Sequence, residues 1–93
     1  MYEYKRTGWI PVKEKMPEEK YSIFAKYKGT LRWSDSMFEN ISDRCLITIN
    51  ANNQPVVDLA HTCDGEWKAN LLRIFPEAEV TAWMPIPEPY RDE

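Results

Sequence analysis

Two alternating stretches separated by a polar link constrain this chain more than any other feature. The first, "RCLITIN" (44–50), places Cys45, Ile47 and Ile49 on one face. The second, "PVVDLAHTC" (55–63), places Val57, Leu59, His61 and Cys63 on one face. The link "ANNQ" between them is a turn signal. Together they predict an antiparallel hairpin. Matching apolar to apolar sets Ile49 opposite Val57, Ile47 opposite Leu59 and Cys45 opposite His61. A slip of one residue would set Ile47 against Asp58, so the first register is expected.

The pattern continues to the end of the chain. "DG" (64–65) is a strong signal for a two-residue hairpin turn, leading into a strand over "EWKAN" (66–70). "LLRIFPEA" (71–78) reads as a short apolar connection ending near Pro76. "EVTAWM" (79–84) reads as the last strand, with Val80, Ala82 and Met84 on one face.

The first half reads differently. Residues 1–8 have no clear period and are expected to form a tail. "GWIPV" (8–12) reads as extended, and Pro11, which has no amide hydrogen, limits it to a sheet edge or a strand end. "MPEEKYSIFAKY" (16–27) reads as a helix. Pro17 suits its first position, Glu18 and Glu19 suit the positive end of its dipole, and Ile23, Phe24 and Tyr27 form a packing stripe. Gly29 would stop it. A second short helix is expected in "TLRWSDSMFEN" (30–40), with Thr30 as cap and Trp33, Met37 and Phe38 inward. The expected fold is therefore α+β, a small antiparallel sheet of about four strands with one or two short helices on one side. Residues 9–90 would form a single globular domain, with 91–93 a short tail.

Composition agrees. The chain has 93 residues, 43% apolar and 29% charged, as a soluble globular domain does and a disordered chain does not. Its formal charge of −3 argues against a general binder of phosphate backbones. Nucleic acid is therefore not an expected partner. No apolar run approaches the ~20 residues of a membrane span, and no secretion signal is evident, so a cytoplasmic protein without membrane contact is expected. The two cysteines are then expected to be free thiols.

Pro85, Pro87 and Pro89 come after the last strand. Pro85 ends its ladder, and the alternating prolines keep residues 85–89 extended. Such a segment can lie back over the domain and protect an edge. By alternation Trp83 falls with Glu79 and Thr81, on the face opposite Val80, Ala82 and Met84. It is expected to pack near Trp9 and to be partly covered by the segment 85–89. A ligand for a proline-reading domain is the weaker reading, because P-x-x-P is absent. Trp9-Ile10-Pro11 and Trp83-Met84-Pro85 look like two strand ends built alike, neighbours in the sheet.

These residues also carry a resemblance. "WIPVKEKMPEE" with "VTAWMPIPEPY" resembles the bacterial and phage family called domain of unknown function 551, over residues 9–90. The signature positions in this chain are Trp9, Pro11, Pro17, Trp83, Pro85, Pro87 and Pro89. "YKGTLRWSDSMFENISD" and "AHTCDGEWKANLLRIFPEAEV" resemble a Firmicutes-type branch. Ala82 stands where many members have His, so no role of that His transfers. The resemblance implies a phage or prophage setting and no activity.

No motif carries chemistry by itself. Cys45, His61 and Cys63 could share a sheet face, but structural zinc needs four ligands, and a Cys–His nucleophile needs an oriented base and an oxyanion site. A half-buried His and two packed thiols are the simpler reading. Glu14, Glu18, Glu19 and Glu77 have nothing to hold two of them across a cleft. "GT" (29–30) lacks the rest of a phosphate loop. "KYKGTLRW" mixes Lys26, Lys28 and Arg32 with Tyr27 and Trp33. That suits a binding surface, and equally a corner whose aromatics pack inward. The function expected is a non-enzymatic module that binds an unidentified protein, without cofactor or metal. The alternative is an inhibitor of a bacterial defence nuclease, of anti-CRISPR type. A small hydrolase ranks below both.

Overall fold

Two asparagines set the register of the central hairpin. In the computed structural model, which describes residues 8–92, Asn52 and Asn53 both have positive φ, 51° and 62°. A two-residue type I′ turn needs that conformation at both positions, and Asn tolerates it better than most side chains. The turn joins β4 (Cys45–Ala51) to β5 (Gln54–Cys63) with Ala51 opposite Gln54. From there Ile49 meets Val56, Ile47 meets Asp58 and Cys45 meets Ala60. The strands pair antiparallel as expected, but one residue away from the expected register. Turn geometry, not apolar matching, decides. Val57 and Leu59 consequently point to the outer face and are exposed, while Asp58 and Ala60 point inward. Asp58 is accommodated because its carboxylate accepts the amides of Leu59, at 2.8 Å, and Leu71, at 3.2 Å.

The fold is mostly sheet, not the expected four strands with flanking helices. The other strands are β1 (Ile10–Pro11), β2 (Glu19–Tyr21), β3 (Asn40–Ser42), β6 (Glu66–Lys68) and β7 (Glu79–Pro85). Their order is β1-β7-β4-β5-β3-β2, with β6 paired to β5 and every pairing antiparallel. Asp64 and Gly65, both at positive φ, make the expected tight turn from β5 to β6. Pro11 lies in an edge strand, and the two Trp-x-Pro segments are sheet neighbours, Ile10 opposite Trp83.

A bulge in β7 overturns the face assigned to Trp83. Ile49 pairs with Val80, but Thr48 pairs with Ala82, so Thr81 is an extra residue. Beyond it the alternation is inverted. Val80 and Trp83 both face the core, with Trp83 opposite Ile47. The core is Cys45, Ile47, Ile49, Ala60, Val80 and Trp83, with both isoleucines at 0% exposure. Ile10, Val12, Trp67, Leu71 and Leu72 pack against it.

The one α-helix among the described residues is α1 (Asn70–Ile74), where the end of a strand over 66–70 and a plain connection over 71–78 were expected. Five residues are too few for a readable period. Asp58, across the sheet, supplies the acceptor for its Leu71 amide. Conversely, neither expected helix forms. Residues 19–21 are strand, and only Ala25–Tyr27 makes a 3-10 turn. Ser22 accepts the Phe24 amide, and Thr30 donates to the Tyr27 carbonyl while accepting the Arg32 amide. Such side-chain bonds compete with a helix ladder. The tail expected over residues 1–8 falls outside the described residues except for Gly8, and that expected over 91–93 does so at its last residue.

Candidate functional site

Between β2 and β3 the chain makes a lobe over residues 22–39 with no strand in it. Loops beyond about 12–15 residues are uncommon in compact domains, and the ordered ones are usually functional. This one is closed at its base and packed by its own aromatics. The Ser22 amide donates to the Glu39 carbonyl at 2.8 Å, and the Ser22 hydroxyl donates to the Phe38 carbonyl. Phe24 and Phe38 meet edge to face, centroids 5.3 Å apart.

Asp64 ties the base to the rest of the sheet. Its carboxylate accepts the amides of Asn40 and Glu39, at 2.9 and 3.2 Å, and the Asn40 side-chain amide. The Asn40 amide is the main reason this carboxyl is held below the usual carboxylate range. Glu19 adds a second tie. Its carboxylate accepts the Thr62 hydroxyl at 2.6 Å and the Gly65 amide at 2.9 Å.

The lobe gathers every sequence-predicted surface residue. Lys26 and Arg32 lie over the Tyr27 ring, at 5.2 and 5.8 Å from its centroid. Lys28 pairs with Glu39 at 2.8 Å, and that bond holds its ammonium above the ordinary lysine value. Trp33 and Tyr27 are half-buried within the lobe. Two residues that sequence reasoning treats otherwise complete the surface. Ile23 is 79% exposed and Leu31 fully so, with Tyr21 beside them in sequence at the lobe's entry. Reading Ile23 into a helix stripe hides it, and Leu31 gives no signal at all.

The other sequence candidates disperse. Cys45 faces the core, whereas His61 and Cys63 alternate with Ala60 and Thr62 to the other face, so the three do not share one face as expected. Both thiols are free and buried, and burial pushes both up in pKa. Among the described residues, no three His, Cys, Asp or Glu side chains gather as metal ligands. Glu19 is engaged as above, and Glu14, Glu18 and Glu77 are exposed.

The signature residues are placed by the sheet. Trp9 and Pro11 are half-buried along the β1 edge, and Pro17 is half-buried before β2. Trp83 is 8% exposed, and its indole N–H donates to the Lys15 carbonyl at 2.8 Å. Its cover comes from the turn after β1, where the Glu14 and Lys15 amides fold back on the Pro11 carbonyl. Of the segment expected to cover it in part, Pro85 lines a cleft together with Trp83 and Lys15, and Pro85 to Asp92, with Pro87 and Pro89, are exposed.

Sheet and lobe together define a small antiparallel β protein with one elaborated loop. Among the described residues, no helix is long and apolar enough to cross a membrane. The chain belongs to the family described as protein of unknown function (DUF551), whose model matches residues 8–90. No curated protein and no solved structure matches it.

Proposed function

We propose that the protein is a non-enzymatic module that binds another protein through the 22–39 lobe. One observation carries this reading: a loop packed by its own aromatics and tied down by Asp64 holds Ile23 and Leu31 out in solvent. Ordered apolar side chains beside cations stacked on an aromatic are the composition of an interface centre. These groups define the partner's chemistry. Ile23 and Leu31 call for an apolar surface, and Lys26 and Arg32 for carboxylates at its rim. The proposed setting is the phage or prophage genome implied by the family resemblance. A mimic of nucleic acid that blocks a defence nuclease is disfavoured, since it would present carboxylates where this lobe presents cations and apolar groups.

The test compares the wild type with Ile23→Ser/Leu31→Ser in quantitative pull-downs, alongside melting curves. The expected result is a melting temperature within about 2 °C of wild type and loss of at least about nine-tenths of any specific partner. Equal recovery of that partner by both proteins overturns the reading.

A further inference from the structure

We propose that the cleft between β5, β6 and α1 binds a small organic phosphate. The sheet register builds it. His61 of β5 is opposite Lys68 of β6, and Arg44 comes just before β4. Asn70 and Arg73 come from α1, and all five line one cleft of about 540 Å³ with Trp67 in its wall.

Three observations point to an anion. The chain is net negative, yet no carboxylate lines this cleft. Arg44 and Arg73 have no ion pair among the described residues, and Lys68 pairs with Glu66 alone, at 3.0 Å. Side-by-side basic groups in a sheet are unfavourable unless a counter-charge lies between them. Two guanidiniums and an ammonium with an Asn amide offer the forked and single donors that phosphate oxygens accept. The half-buried Trp67, with Leu59 at the other wall, gives a ring or sugar an apolar surface. The volume lies within the roughly 300–1,000 Å³ range of small-molecule sites. None of these residues belongs to the 22–39 lobe, so this proposal stands apart from the protein-binding reading.

The experiment is an amide NMR titration of the full chain with ADP, inorganic phosphate and adenosine. ADP is expected to move the amides of residues 59–61 and 67–73, with a Kd below about 1 mM. Inorganic phosphate should move the same amides more weakly, and adenosine should leave them in place. Arg44→Gln/Arg73→Gln is expected to weaken ADP at least ~10-fold, while its unliganded spectrum keeps the dispersion of a folded sheet. Lys68→Gln gives a second, single-site reading in the same direction, and Arg32→Gln, in the lobe, should change nothing. The proposal is overturned if ADP moves none of these amides at about 5 mM, if adenosine binds as well as ADP, or if Arg32→Gln weakens ADP as much as the arginine pair.

Discussion

At the scale of single residues, the side chains with the most defined work are Trp83 and Asp64. Trp83 joins β7 to the turn after β1 through its ring and its bond to the Lys15 carbonyl. Trp83→Phe keeps most of the apolar volume and removes one hydrogen bond, so it should cost about 1 kcal/mol in urea denaturation. Trp83→Ala should cost about 3–5 kcal/mol. Asp64 holds the lobe's base, and its carboxyl is depressed in the folded state chiefly by the Asn40 amide. A depressed carboxyl contributes stability above its unfolded value near 3.8, and that contribution is lost as the pH falls through and below it. Asp64→Asn keeps a side chain that tolerates the positive φ at this turn but removes the charge. It should flatten the acid limb of stability between about pH 5 and about pH 2, and speed hydrogen exchange at the Glu39 and Asn40 amides. The cysteines give a simpler expectation. With both thiols buried and pushed up in pKa, alkylation at neutral pH should be slow in the native protein and fast in denaturant.

At the scale of elements, the strands of the second half are legible in the sequence and their faces only partly so. Alternation around a polar turn locates β4 and β5, and Asp-Gly locates the β5–β6 turn. Apolar matching misses the register because Asp58 looks unsuited to the core face. The Asn52–Asn53 turn places it there, and its carboxylate accepts the Leu71 amide of α1, which has no readable period. The Thr81 bulge leaves no mark in an unbroken alternation, and it carries Trp83 to the other face. In the first half, the Ile23, Phe24, Tyr27 spacing is genuine helix spacing that Ser22 and Thr30 override through side-chain bonds. The central turn itself is testable. Gly is preferred at the second position of a type I′ turn, so Asn53→Gly should be neutral or stabilising by up to about 1 kcal/mol. Asn53→Val should destabilise by about 1–2 kcal/mol, because a branched side chain resists positive φ. Equal stability of the two variants, measured in urea, would contradict a register set by this two-residue turn.

At the scale of the whole molecule, the terminal Trp and Pro motifs identify the family correctly, and Trp83 and Pro11 of those motifs lie in the seam between β7 and β1. Composition shows a folded domain and little of its surface. The cations and aromatics of residues 26–33 point to the lobe, but Ile23 and Leu31 need coordinates, because exposure of an apolar residue is a property of packing and not of its own sequence position. This lobe, and not another apolar part of the surface, is the proposed contact with the partner. The most direct measurement is photo-crosslinking with a photoreactive residue placed at Leu31 or, in a second protein, at Val57, which is exposed on the outer face of the hairpin. The account predicts a discrete crosslinked species from position 31, competed away by unlabelled wild-type protein, and none from position 57. A species from position 57 alone, or identical species from both, would contradict it.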